Sequence, residues 1–399
     1  MRRVPKRMIV GVSLIAAFLA VPAAGQAPKT IARPDNEGLA QKLVHDSARV
    51  KEGDYVLITG APRDTELLEN IATEVRRVGA FPLVQLSTER MGLQYFSKVP
   101  AKYDSQEPKL DYELVKLFNV NINVDSSEAP DAFAAVPVER QAALGNAFAP
   151  VGAAAIKRSV RAVNLGNGLY PTDGQARLFG VSKEELAKSF WEGVNVDYAK
   201  LQATAQAGVA ALVGKEVRIT NPNGTDLKVR IEGRTPLASD GVISEDDIKK
   251  GGAACQVWLP AGEVFTSVVP GTAEGTVVVD RQFFQGKEIT GLTLTYKAGK
   301  LASMTARSGL EPLKALYDAA GPGKESFGAI DIGINPNVRY VPDSRMITWV
   351  PAGMVTLTLG GDLWAGGENG ASLGLSSFLP GSTLKVDGKA LVEGGVLKF

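Results

Sequence analysis

The chain has 399 residues, 45% of them hydrophobic, with 44 Lys and Arg against 43 Asp and Glu and a formal net charge of +1. That balance, with no basic block, argues against nucleic acid or an anionic membrane surface as a partner, and the length suffices to bury a core without covalent staples. A single cysteine, Cys255, excludes an intrachain disulfide, and a single histidine, His45, leaves one imidazole for all catalytic or metal-binding work.

Residues 1–25 read as a signal peptide. Arg2, Arg3, Lys6 and Arg7 form a basic start, Met8 to Val21 is almost wholly apolar, and Pro22-Ala23-Ala24-Gly25 supplies small residues for cleavage before Gln26. The apolar core falls short of the ~20 residues of a membrane span, and no later stretch approaches that length. The expected product is an exported, soluble protein, periplasmic or secreted. Removing the four basic residues leaves a net charge of −3.

From residue 26 to 214 the pattern alternates between strand and helix. Leu39, Leu43 and Val44 mark a first helix, Tyr55 to Gly60 a strand, and Leu67, Leu68, Ile71 and Val75 a helix closed by Gly79. Phe81 to Leu86 reads as the next strand, which makes a parallel crossover unit. A helix over 112–118, a strand over 120–124, a helix over 139–157 and a strand over 161–165 repeat the cycle. Ser182 and Glu185 form a capping box for a helix running towards Trp191, and another helix spans 199–213.

Beyond about residue 215 strands and tight turns take over, at 217–220, 227–231, 275–279 and 292–296, interrupted by one helix over 311–320. Pro222-Asn223-Gly224 and Lys297-Ala298-Gly299-Lys300 are turn chemistry. The predicted fold class is α/β: an N-terminal open parallel α/β domain, 26–214, and a C-terminal β-rich (α+β) domain, 215–399.

Five blocks carry further meaning. They are Gly53 to Ile58; Tyr170-Pro171-Thr172 with Ala176 and Gly180; Gly224-Thr225-Asp226-Leu227 with Gly233-Arg234; Pro260-Ala261-Gly262-Glu263-Val264-Phe265-Thr266; and Glu274-Gly275-Thr276. Their order and spacing resemble the thermophilic-type metalloaminopeptidases, the aminopeptidase T family, over nearly the whole mature chain. The resemblance implies a homodimer, a peptide substrate and two divalent metal ions in the C-terminal domain. Zinc, cobalt or manganese would be held there by two glutamates, two histidines and an aspartate, with a tyrosine nearby. Such a pair of ions, ~3.5–4 Å apart, activates a water against the first peptide bond.

Transferred position by position, Glu263 matches the first metal glutamate. Glu325, in Gly323-Lys324-Glu325-Ser326-Phe327-Gly328, matches the second. Thr356 stands where the first histidine is expected. Leu375 and Ser377 stand nearest the His-x-Asp pair, and Leu363 or Trp364 nearest the tyrosine. Carboxylates that could be recruited instead are Asp331, Asp343, Asp362, Glu368 and Asp387; an all-oxygen set would favour Mg²⁺, Ca²⁺ or Mn²⁺.

Other chemistries find little support. His45 and Asp46 are adjacent on a helix and do not face each other, so they make no dyad. Cys255 reads as a small buried hydrophobe. Gly321-Pro322-Gly323-Lys324 lacks the spacing and the Ser/Thr of a phosphate loop and reads as a helix stop. Three readings stay open: an exported aminopeptidase-family protein, ancestrally removing N-terminal amino acids, whose metal site is incomplete; a non-catalytic peptide or small-ligand binder on the same scaffold; and a hydrolase using an oxygen-ligand metal site.

Overall fold

The computed structural model describes residues 35–341 and 343–399. The expected signal segment lies outside them. No helix among the described residues is long and apolar enough to cross a membrane.

The first half alternates as the apolar periodicity requires: α1 (Asn36–Gln41), β1 (Tyr55–Gly60), α2 (Thr65–Arg77), β2 (Phe81–Leu86), α3 (Glu89–Lys98), α4 (Lys109–Leu117), β3 (Val120–Val124), α5 (Val138–Lys157), β4 (Arg161–Leu165), α6 (Asp173–Phe179), α7 (Lys183–Val194) and α8 (Tyr198–Ala211). The α1 path continues through wider π-type turns at Lys42–Ser47. The capping box of α7 is formed: the Ser182 hydroxyl accepts from Glu185 N–H, and the Glu185 carboxylate accepts from Ser182 N–H at 3.0 Å.

The second half is mostly strands: β5 (Glu216–Asn221), β6 (Thr225–Arg230), β7 (Leu237–Ser239), α9 (Glu245–Lys250), β8 (Gln256–Leu259), β9 (Glu263–Ser267), β10 (Glu274–Phe284), β11 (Lys287–Lys297), β12 (Lys300–Thr305), α10 (Glu311–Ala319), β13 (Phe327–Gly333), β14 (Val355–Gly360), β15 (Gly374–Leu379), β16 (Thr383–Val386), β17 (Lys389–Glu393) and β18 (Val396–Leu397). Two helices have no counterpart in the sequence reading. Helix α3 buries no residue and carries Gly92 at its middle, so its apolar periodicity is weak. Helix α9 is six residues long, and its capping box uses Asp247 at the third position instead of Glu or Gln.

Three sheets organise these elements. A parallel sheet runs in the order β2-β1-β3-β4-β8, an antiparallel sheet runs β12-β11-β10-β6-β5-β16-β17-β18, and a five-stranded antiparallel sheet runs β15-β14-β13-β9-β7. The chain beyond residue 215 thus returns to complete the parallel sheet, with Ala162 to Leu165 beside Gln256 to Leu259. The described residues form one compact unit.

Strands β8 and β9 follow each other but belong to different sheets. The Pro260-Ala261-Gly262 corner between them therefore fixes where Glu263 begins. Gly262 has φ +132°, and a Cβ there would lie 2.6 Å from the Asn335 Cβ and 2.8 Å from its backbone N, so only glycine fits. Asn335, fully buried, clamps the corner by donating to the carbonyls of Ala261 and Gly193 at 2.6 and 3.1 Å.

Candidate functional site

Strands β9, β13 and β14 are buried along their whole length, on both faces. Alternation along a strand then separates their side chains into two sets. In register, Glu263 lies opposite Gly333, Phe265 opposite Asp331, Asp331 opposite Thr356, and Thr356 opposite Phe378. Glu263, Phe265, Asp331, Thr356, Thr358, Ser376 and Phe378 therefore share one face. The other face carries Val264, Ile330, Ile332, Val355, Leu357, Leu375, Ser377 and Leu379, which pack into the core.

Glu263, Thr358 and Ser376 of the first face line a cleft of about 520 Å³, which Asp331 and Thr356, both buried, do not reach. Helix α5 supplies one wall with small residues such as Gly145, Ala149 and Gly152, and the segment 361–374 supplies another. Trp258, Trp349 and Trp364 reach into it. Trp364 packs at 6.0 Å from Trp258 and 5.1 Å from Phe265, and Trp349 at 5.1 Å from Phe378. Trp349 comes this close because the backbone of Trp349 to Pro351 crosses Gly333, where a Cβ would lie 2.3 Å from two carbonyl oxygens.

Glu263 is the one ionisable side chain lining this cleft among the described residues, and it is 4% exposed. Asn167 Nδ2, on the loop after β4, donates to its Oε1 at 2.7 Å and to the Pro260 carbonyl at 3.2 Å. Asn167 itself has a left-handed φ of 45°, a conformation asparagine tolerates. Behind Glu263 lies Asp331, 1% exposed, with neither carboxylate oxygen hydrogen-bonded; the Thr356 hydroxyl facing it across the strand pair is also unpartnered. Burial pushes the Glu263 carboxyl up to about 7. Burial, and then the Glu263 charge, push Asp331 well above the usual carboxylate range. Two buried carboxyls without a cation do not both ionise readily, so the pair retains a proton near neutral pH.

The remaining sequence-predicted positions fall elsewhere. Glu325 precedes β13 at the end opposite to Gly333. The strand between them spans roughly 20 Å, so Glu263 and Glu325 do not share a site. Glu325 instead pairs with Lys300 at 3.2 Å, and its own backbone N–H and that ammonium hold its carboxyl below the usual value. The carboxylate beside Glu263 is Asp331. Leu375 and Ser377 point into the core; a pair two residues apart that faced the cleft from β15 would occupy Ser376 and Phe378, one step out of phase. Asp362 is buried by the 361–374 segment it organises, accepting from Asn369 N–H at 2.7 Å, and burial raises its carboxyl. Glu368 and Asp343 are exposed. Asp387 accepts from the N–H groups of Lys215 and Glu216. Of the residues near the expected tyrosine, Trp364 and Leu363 both line the cleft. His45 lies on the Lys42–Ser47 segment, 3.1 Å from Glu74, and Cys255 is buried and unpaired.

Asp331 and Asn167 escaped the sequence reading as central residues. Asp331 interrupts the apolar run Ala329-Ile330-Asp331-Ile332, and that interruption is the available signal.

Residues 34–330 match the thermophilic metalloprotease (M29) family. The chain belongs to that family. The strands that would carry the family histidines, β14 and β15, lie beyond the matched residues. In fold the chain is similar to wild-type AmpT from Thermus thermophilus, at 19% identity over 91% of this chain and 99% of that one, TM-score 0.68. It is also similar to the 2,5-dihydroxypyridine dioxygenase of Pseudomonas putida KT2440, at 13% identity over 91% and 97%, TM-score 0.55. These likenesses establish a shared fold. No curated protein sequence matches.

The donors on the cleft face do not fit the two-metal cage that the resemblance implies. Oxygen donors on that face come from Glu263, Asp331, Thr356, Thr358 and Ser376, no imidazole is among them, and no group of three or more His, Cys, Asp or Glu among the described residues is placed to hold a metal.

Proposed function

We propose that this metalloprotease-family protein has a degenerate metal site and binds a peptide or small ligand in the Trp-lined cleft without hydrolysing it by the family's two-metal chemistry. The observation that carries the reading is the composition of the cleft face: Thr356, Ser376 and Phe378 offer no imidazole, and Glu263 is partnered by Asp331 instead of Glu325. A dinuclear zinc or cobalt centre needs nitrogen and carboxylate ligands converging on both ions. Two carboxyls that retain a proton between them make a poor substitute.

The geometry supports binding on its own terms. Asn167 holds Glu263 at the cleft wall, three indoles supply apolar surface there, and small residues of α5 leave room for a ligand body. Export through a signal peptide, expected from the sequence, and homodimer formation, implied by the family resemblance, belong to the same proposal. The test is an aminopeptidase assay of purified protein with leucyl and alanyl substrates and added Zn²⁺, Co²⁺ or Mn²⁺. The proposal expects no turnover above that of Glu263→Gln; metal-stimulated turnover that Glu263→Gln abolishes would refute it.

A further inference from the structure

We infer that the cavity between helices α4 and α5 and the parallel sheet binds a neutral, mainly apolar molecule carrying one hydroxyl or amide head. This goes beyond the reading of the Trp-lined cleft and does not rest on it. Helix α5 contributes Gly152 and Ile156 to both spaces, but Asn121, Ala155 and Ala162 line only this one.

The parallel sheet has two unlike faces. Val56 and Ile58 of β1 and Val120, Ile122 and Val124 of β3 are buried on one, whereas Leu57, Thr59, Asn121 and Asn123 on the other stay half-buried. Helix α4, which lies over this second face, buries no residue of its own. What remains is a cavity of about 340 Å³, whose walls include Leu57, Leu114, Val115, Phe118, Ala155 and Ala162. Gly152 on α5 adds to the room, since a Cβ there would meet no atom within 4 Å. One polar group is stranded in this setting. In register, Asn121 lies between Leu57 on β1 and Ala162 on β4. Its Oδ1 is cut off from solvent and has no hydrogen-bond partner among the described residues. Asn123, two residues on, shows the ordinary solution: its Oδ1 accepts from the Thr59 hydroxyl at 2.8 Å. Burying an amide oxygen without such a partner carries a desolvation penalty, which Leu57 and Ala162 cannot relieve.

The stranded oxygen sets the head group of the ligand. It asks for an N–H or O–H donor. Asp111 is the one ionisable residue lining the cavity among the described residues, so an anionic head would meet a carboxylate and no cation. A head of either charge would lose its hydration beside Leu57 and Ala162 without a paired counter-charge. The walls set the body. They are mainly aliphatic, so an alkyl chain gains by leaving water there. The volume lies in the range of small-molecule sites and exceeds what one or two ordered waters fill.

The test uses the full chain and 1-octanol, followed by calorimetry and by thermal melt, beside heptyl methyl ether, octanoate and octylammonium, which are of similar length. The ether accepts a hydrogen bond but donates none. The inference expects 1-octanol to bind and to raise the melting temperature, and the other three to bind at least about fivefold more weakly, the worth of one hydrogen bond. Asn121→Leu, which puts an apolar group of similar size in place of the carboxamide, is expected to erase the preference for the alcohol over the ether. Ala155→Phe fills the cavity from α5 and is expected to abolish octanol binding. Ala162→Leu fills it from β4 and takes over where the first variant does not fold. No heat and no melting shift with 1-octanol would leave the space to water and overturn the inference. So would equal binding of alcohol and ether by the wild-type chain, tighter binding of octanoate or octylammonium, or octanol binding that survives the filling substitutions.

Discussion

The two faces of the β15-β14-β13-β9-β7 sheet are both largely buried, the cleft side less so along β15, and they are differently built. One carries Val264, Ile330, Ile332, Val355 and Leu357, each packed against apolar neighbours. The other, one residue out of phase along the same strands, carries Glu263, Asp331 and Thr356, with three oxygen atoms that have no partner. The first face is what a folding chain needs. The second opposes folding, because burying an unpaired carboxyl or hydroxyl carries a desolvation penalty that no internal contact offsets. The contrast locates function: polar groups held at the cost of stability are expected where a ligand completes them.

Substitutions on each face sharpen the contrast. Leu357→Ala, on the apolar face, is expected to cost about 2–5 kcal/mol in urea unfolding, from lost transfer energy and the cavity left behind. Glu263→Gln should act in the opposite sense. Burial pushes the Glu263 carboxyl up to about 7 in the folded chain, against an ordinary glutamate value of about 4.5 when unfolded. The native state therefore binds more protons across that window, and the wild-type chain loses stability as pH rises from about 4.5 through about 7. The Gln variant lacks this loss and should be more stable than wild type at pH 8, by on the order of 2 kcal/mol, with the difference vanishing below pH 4.5. A melting curve at each pH checks both ends. Thr356→Val removes an unpartnered buried hydroxyl without changing shape, and should be neutral or stabilising by up to about 1 kcal/mol. Glu325→Ala removes a partly exposed ion pair and should change stability by less than about 1 kcal/mol, leaving ligand binding in the cleft unaltered. A large binding loss at Glu325 would break the contrast.

The elements were largely legible because their signals are local. The 3.6-residue recurrence of Leu67, Leu68, Ile71 and Val75, the Ser182–Glu185 capping box and the turn at Pro222 to Gly224 each act within a few residues. The Pro260 to Thr266 block was legible as a family signature, and the structure supplies its physical reason in the glycine-only corner clamped by Asn335. The composition of the site was less legible, because it depends on which residues meet across strands. Glu325 and Asp331 lie six residues apart in the sequence, and only the register of β13 with β9 sets Asp331, and not Glu325, beside Glu263. The same holds on β15, where a one-residue shift decides whether Leu375 and Ser377 or Ser376 and Phe378 face the cleft. Asn167 comes from a loop 96 residues before Glu263, a distance over which no sequence pattern operates.

The central claim is that this face no longer performs two-metal peptide hydrolysis. Its most direct test is release of leucine from a leucyl peptide by the purified wild-type chain, with Zn²⁺, Co²⁺ or Mn²⁺ supplied, beside Glu263→Gln. The account predicts that wild type and variant are indistinguishable from the metal-only blank. Sustained release by wild type that disappears in Glu263→Gln would contradict it.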